Sequence, residues 1–120
     1  MPEKVLVIGA SPNEWRYSFI ATKMLRNYGH EVYCFGRRPG SCAGLPIQTE
    51  FPSNTNYDTI TLYINPGLQK QYYEQMIALQ PKRVIFNPGT ENPELEEMLE
   101  QKGIVADEAC TLVLLRTGQY

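Results

Sequence analysis

The stretch Lys4–Ile8 constrains this chain more than any other. Its last four residues, Val-Leu-Val-Ile, are apolar without interruption, and Gly9-Ala10-Ser11 follows at once. A strand with one wet face alternates polar and apolar residues, whereas an unbroken apolar run belongs in a sheet covered on both faces, and such sheets are mainly parallel. Parallel neighbours cannot be joined by a hairpin, so a crossover helix must come next. The sequence supplies it: over residues 17–28 Ile20, Met24 and Tyr28 recur at helical spacing with Ala21 and Leu25 beside them, and Gly29 provides a stop. Residues 32–35, Val-Tyr-Cys-Phe, read as a second buried strand that completes a βαβ unit.

The pattern repeats downstream. Residues 45–49 suit a short edge strand, after the basic, glycine-containing loop 37–40, and 52–56 has turn composition. Residues 58–64 are rich in β-branched side chains and read as a central strand, followed by Asn65-Pro66-Gly67 and a helix over 68–79. Residues 83–86 form another strand. Asn92-Pro93-Glu94 then presents an N-cap with proline at the first helical position, and that helix runs to Lys102. A last strand over 104–106 and a terminal helix over 109–116 close the chain. The expected fold is α/β, a three-layer Rossmann-like arrangement with a mainly parallel sheet and helices on both faces.

With 120 residues, 42% of them hydrophobic and 20% charged, the chain has the length and composition of one soluble domain spanning residues 1–120. A net charge of −2 gives no broad positive field for nucleic acid or anionic membranes. The N-terminus lacks the pattern of a secretory signal, and no apolar run is long enough to span a bilayer. Three widely spaced cysteines, Cys34, Cys42 and Cys110, suit reduced thiols, so a cytoplasmic location is expected. One histidine and no CxxC pair leave no recognisable metal site.

Ligands of such sheets sit beyond the carboxyl ends of the strands, where strand order reverses. Four loops therefore matter. After the first strand, the small residues Gly9, Ala10 and Ser11 let backbone amides approach a phosphate, and Ser11, Asn13 and Ser18 offer further donors. The GxGxxG fingerprint is absent, because Ser-Pro-Asn-Glu occupies positions 11–14. A β-branched side chain at position 10 would block the phosphate and leave the fold intact if this loop lies near the surface.

After the second strand, where an NAD site places a carboxylate for the ribose, stand Arg37 and Arg38. Two cations suit a ribose bearing a phosphate, either the 2′-phosphate of NADP or the 3′-phosphate of coenzyme A. The tripeptides Asn65-Pro66-Gly67 and Asn87-Pro88-Gly89 close the next two strands and put uncharged amides at the same edge. Each feature also has a plainer reading: a tight turn needs small residues, and loop arginines are ordinarily solvated. No catalytic group stands out. His30 falls on the side opposite the site, Cys42 sits in a glycine-rich loop and is open to exposure without an activating partner, Cys110 reads as a helix-start or core residue, and the tyrosines as packing.

The combination of Val7-Ile8-Gly9-Ala10-Ser11, Arg16-Tyr17-Ser18, Asn87-Pro88-Gly89-Thr90-Glu91-Asn92 and Cys110 resembles the stand-alone coenzyme-A-binding domain family, whose fold is similar to the CoA-binding domain of succinyl-CoA synthetase. The resemblance spans nearly the whole chain. It implies that Gly9, Ala10 and Ser11 with Arg16 and Ser18 hold phosphates, that Arg37 or Arg38 meets the adenosine phosphate end, and that Asn65, Pro66, Asn87 and Pro88 line the rest of the groove. Where many relatives carry an Asn-Pro-Lys-like stretch after the second strand, this chain has Gly36-Arg37-Arg38. Enzymes with this domain add a separate ligase or phosphotransfer module, and none is present here, so the resemblance supplies a ligand class and no reaction. The expectation is a stand-alone binding module for coenzyme A or an acyl-CoA, acting as carrier, sensor or subunit of a larger assembly with a protein partner to be identified, and the question of a catalysed reaction is left open. The alternatives are a small NADP-dependent oxidoreductase or NADP-binding regulatory protein, and a scaffold whose site has decayed.

Overall fold

The computed structural model describes residues 2–53 and 56–120. Seven strands form one sheet: β1 (Lys4–Ile8), β2 (Glu31–Phe35), β3 (Gly40–Cys42), β4 (Leu45–Gln48), β5 (Thr59–Leu62), β6 (Arg83–Phe86) and β7 (Val105–Glu108), in the order β3-β4-β2-β1-β5-β6-β7. Every neighbouring pair is parallel except β3 with β4. The helices are α1 (Tyr17–Asn27), α2 (Pro66–Gln69), α3 (Tyr73–Ala78), α4 (Pro93–Gln101) and α5 (Thr111–Arg116), with a 3₁₀ turn at Lys70–Tyr72 between α2 and α3. No helix among the described residues is long and apolar enough to cross a membrane.

The unbroken run in β1 divides its side chains between two cores. Val5 and Val7 pack with Leu25 of α1 and Leu115 of α5, whereas Leu6 and Ile8 join Met76 of α3 and Leu95 and Leu99 of α4. Residues alternate across a strand, so four apolar residues in a row place two on each face. All four are 0–1% exposed. The chain leaves β1 toward β2 on one side and reaches β5 on the other, which puts the reversal of strand order at the carboxyl ends of β1 and β5.

Two elements depart from the sequence reading. Residues 45–48 are not the edge strand. They lie between β2 and a further antiparallel strand, β3, built from the loop that follows the two arginines. The two-residue turn joining β3 to β4 has positive φ at both Ala43 (49°) and Gly44 (87°), the conformation that suits a right-twisted hairpin. Alanine rarely adopts it, which is why sequence did not announce the turn, and Arg26 donates to the Ala43 carbonyl at 2.8 Å to hold it. The helix expected over 68–79 is broken at the 3₁₀ turn. Tyr72 has φ −114° and ψ 6°, and its ring stacks on Phe51 and meets Phe35 edge-on, so aromatic packing outweighs helical continuity. Of the turn expected over 52–56, Asn54 and Thr55 lie outside the described residues.

Two predictions follow from this packing. A Cβ at Gly36 would stand 2.5 Å from the Ala10 carbonyl oxygen, a backbone atom that cannot swing aside. Gly36→Ala is expected to lower unfolding stability by about 1–3 kcal/mol, read from the urea midpoint. At the opposite edge of the sheet, His30 Nδ1 accepts the Glu3 amide at 3.0 Å and its ring lies 5.0 Å from that of Tyr120. Burial holds its pKa below the ordinary 6.5, because an imidazolium there would lose part of its hydration. The unfolded chain then binds the proton more readily, so stability falls as pH drops through 6.5 and below. In His30→Gln, measured across the same range, that part of the acid sensitivity should be missing.

Candidate functional site

At the carboxyl ends of the strands the loops enclose a cleft of about 930 Å³. It begins where β1 meets β2. The Gly9 and Ala10 amides both donate to the Phe35 carbonyl, at 2.9 and 3.0 Å, which bends the loop after β1 across the end of β2. Gly9 has φ +97°, and a Cβ there would fall 2.9 Å from Ile64 Cγ2, so only glycine fits. Beyond it, Ser11 Oγ accepts the Asn13 amide at 3.1 Å and Asn13 Oδ1 accepts the Trp15 amide at 2.9 Å, a pair of side-chain turns that delivers the chain into α1.

This geometry corrects one expectation. The Gly9 and Ala10 amides are engaged inside the protein and are not the donors for a phosphate. Ala10 itself is only 9% exposed and packs in the core with Val7, Cys34 and Ile47, so enlarging it would disturb the fold as well as the cleft. Backbone amides with no acceptor among the described residues lie one step further along. Arg16, at the N-cap of α1, makes no side-chain capping bond, and among the described residues nothing accepts from the amides of Tyr17 and Ser18. Tyr17 and Ser18 line the cleft, at the positive end of an eleven-residue helix.

Of the residues singled out from sequence, Gly9, Ala10, Ser11, Arg16, Ser18, Arg37, Arg38, Asn65 and Pro88 line the cleft together. Asn13, Pro66 and Asn87 do not. Asn13 shapes the loop, and Pro66 is the first residue of α2. Asn87 is 3% exposed and spends its amide internally: Nδ2 donates to Thr61 Oγ1 and the Leu62 carbonyl at 2.7 and 2.9 Å, and Oδ1 accepts the Thr111 amide at 2.9 Å. It pins β5, β6 and α5 together beneath the cleft. Asn65 differs. Its Oδ1 caps α2 by accepting the Leu68 amide at 2.9 Å, which leaves its NH₂ group for the cleft.

Sequence reading missed Thr90 and Tyr63, which line the cleft, and Gln69, which shapes it from below. Gln69 is fully buried. Its Nε2 donates to the Ile64 and Thr90 carbonyls, both at 2.8 Å, and its Oε1 accepts from Asn92 Nδ2 at 2.9 Å. Asn92 Nδ2 also donates to the Tyr73 hydroxyl at 2.8 Å. This network spans the two Asn-Pro-Gly loops and sets their separation. The only hint in sequence was a glutamine in an otherwise apolar helical position. Burial pushes the Tyr63 phenol up to about 12, so it stays protonated at neutral pH.

Arg16, Arg37 and Arg38 line the cleft, and among the described residues no aspartate or glutamate does. Among the described residues none of the three is ion-paired with a carboxylate. Cys42, expected to be open to exposure, is instead 0% exposed, its thiol 3.6 Å from Thr22 Oγ1. Its partner Cys34 is held above the usual thiol range by the neighbouring Cys42 and by burial. No group of three or more histidine, cysteine, aspartate or glutamate side chains among the described residues is placed to hold a metal.

Gln69→Leu would leave two buried carbonyls and the Asn92 amide short of a partner. We expect a loss of about 3 kcal/mol in chemical denaturation, since each buried group left unsatisfied costs roughly 1–3 kcal/mol.

The comparisons with known proteins agree with this architecture. One solved structure, of an uncharacterized protein, is 46% identical over 100% of this chain and 99% of its own, with a TM-score of 0.97. A hypothetical protein from Pyrococcus horikoshii OT3 is 25% identical over 93% of this chain and 81% of its own, with a TM-score of 0.81. A Thermus thermophilus protein, 20% identical over 99% and 91% of the two chains, shares the fold with a TM-score of 0.85. A search of the curated proteins returns no match. The family model described as the CoA binding domain matches residues 3–116, and the chain belongs to that family.

Proposed function

We propose that the cleft holds coenzyme A or an acyl-CoA and that the chain acts as a stand-alone binding module, as carrier, sensor or subunit of a larger assembly. One observation carries the reading: three arginines with no carboxylate partner and the first turn of α1 line one cleft, and among the described residues no acidic side chain lines it. Such a site suits a ligand with phosphates at two separate points. Its volume lies near the upper end of the roughly 300–1,000 Å³ usual for small-molecule sites, which favours a long ligand over a mononucleotide.

In this reading each part of the ligand meets a chemically matched wall. The pyrophosphate lies against Ser11, Arg16 and the Tyr17 and Ser18 amides, where the helix terminus favours negative charge. The ribose 3′-phosphate reaches Arg37 and Arg38, whose guanidiniums offer paired donors. The pantetheine arm, which carries amides and no charge, runs past the Asn65 NH₂, Pro88 and Thr90. The three cysteines are free thiols, which supports a reducing compartment such as the cytoplasm as the place of action.

An NADP site would use the same arginines for a 2′-phosphate, so the test must separate the two. Titration calorimetry with CoA, acetyl-CoA, dephospho-CoA, NADP and NAD should give tight binding to CoA and none to NAD. The double variant Arg37→Ala, Arg38→Ala should weaken CoA by up to about 3 kcal/mol, roughly a hundredfold, and leave dephospho-CoA nearly unchanged. Tighter binding of NADP than of CoA, or equal losses for CoA and dephospho-CoA, would overturn the assignment.

A further inference from the structure

Two cysteines that the cleft does not use lie together in the core on the α1 face of the sheet. Cys34 belongs to β2 and Cys42 to β3, and both are buried free thiols. Their sulfurs reach the same atom, Thr22 Oγ1, at 3.9 and 3.6 Å. We propose that Cys34 and Cys42 are a dithiol pair that a hydroperoxide oxidises to an intramolecular disulfide, and that closing this bond displaces the loop carrying Arg37 and Arg38. The disulfide stands apart from the coenzyme A reading of the cleft, and only its effect on the ligand rests on that reading.

The sheet register explains how the two come together. Cys34 pairs with Ile47 of β4, and Cys42 pairs with Leu45 of the same strand. Residues two apart on a strand share a face, so both cysteines point to the side covered by α1, where Thr22 meets them. Thr22 is itself fixed, since its hydroxyl donates to the Ser18 carbonyl at 2.7 Å. The surroundings favour one thiolate. Arg26, which donates to the Ala43 carbonyl at 2.8 Å, adds a nearby positive charge. A hydrogen bond from Cys34 draws the Cys42 thiol below the usual range, so Cys42 is the sulfur that gives up the first proton.

The chemistry runs in two steps. The Cys42 thiolate attacks a peroxide oxygen and the O–O bond breaks, leaving a sulfenic acid on Cys42, while the departing oxygen takes up a proton to become water or an alcohol. Cys34 then attacks that sulfur, the S–O bond breaks, and water leaves with the Cys34 proton. Two thiols are oxidised to one disulfide as one hydroperoxide is reduced. Access comes from β3, a three-residue strand at the end of the sheet that pairs only with β4 and so opens most readily. It is also the part that has to move. Because β4 stands between β2 and β3, bringing the sulfurs to bonding distance draws β3 toward β2. Arg37 and Arg38 lie on the segment joining the two cysteines, so they are displaced when one end of it is drawn in.

The test uses the full chain with Cys110→Ser, which removes the third thiol and puts a favoured residue at the N-cap of α5. Hydrogen peroxide at neutral pH should remove two hydrogens from the intact mass, peptide mapping should find Cys34 joined to Cys42, and dithiothreitol should reverse both changes. The oxidised protein should bind coenzyme A about tenfold more weakly, the size of one loosened charge-assisted contact, with a smaller change for dephospho-CoA. With Cys42→Ser added, coenzyme A should bind equally before and after peroxide. A folded wild-type chain in which Cys34 and Cys42 both stay free under peroxide that oxidises Cys110 would overturn the proposal, and that measurement depends on no variant. A disulfide that leaves the affinity for coenzyme A unchanged would overturn the link to the arginines. Should coenzyme A bind neither form, the reading of the cleft and that link fall together, and the mass and the peptide map decide the disulfide by themselves.

Discussion

The carbonyl of Phe35 accepts from two successive amides, Gly9 and Ala10, and much of the site depends on that shared acceptor. Without it the chain leaving β1 would have no reason to cross the end of β2. With it, the loop passes so close that Gly36 has no room for a side chain, and the first turn of α1 lines the same cleft as Arg37 and Arg38. The small residues after β1 thus answer to the fold before they answer to a ligand. Their amides are consumed in joining β1 to β2, and the donors left for an anion are those of the helix that this junction aims.

The other wall is built by a different kind of interaction. Gln69, Asn87 and Asn92 are buried polar side chains whose hydrogen bonds run to carbonyls, hydroxyls and amides on separate elements. A buried network of this kind has a narrow tolerance, since any member that moves leaves another unsatisfied at roughly 1–3 kcal/mol. It therefore fixes the spacing of the Asn-Pro-Gly loops more sharply than apolar packing would. The two identical tripeptides do unequal work within it. The first asparagine caps a short helix and keeps its amino group for the cleft, and the second is wholly engaged in holding β5, β6 and α5 together.

The fold was legible wherever burial alone decided the local structure. The apolar run of β1, the helical spacing of Ile20 and Met24, and the Asn92 cap with Pro93 behind it each have one physical reading, and the structure agrees with it. Asn92 Oδ1 accepts the Leu95 amide at 3.2 Å, as an N-cap should. Legibility failed where a residue acts against its usual preference. Ala43 occupies a left-handed position that sequence rules reserve for glycine or asparagine, so the β3–β4 hairpin was invisible and Cys42 was placed in a loop instead of the core. Tyr72 breaks a helix with no proline or glycine, because its partners Phe35 and Phe51 are distant in the chain. In the cleft, sequence named nine lining residues and could not separate Asn65 from Asn87. The difference between those two lies in their hydrogen-bond partners, and partners are a property of tertiary structure.

The chain is acidic overall, with 13 acidic residues against 11 lysines and arginines, and its cleft is nevertheless free of acids. The acids are elsewhere. Glu94, Glu96, Glu97 and Glu100 lie on α4, which packs through Leu95 and Leu99 on the sheet face opposite α1. Arg37 and Arg38 are exposed, so any phosphate contact they made would be weakened by water and salt, and neither alone would hold an anion firmly. In the proposed reading they would act together with the amides of α1, which are fixed by backbone geometry and would lose no side-chain freedom on binding. In that reading, backbone amides and long side chains would divide the task. The helix terminus would define where a phosphate sits, and the arginines would add attraction over a wider range, so such a site would gain direction from the backbone and reach from the side chains.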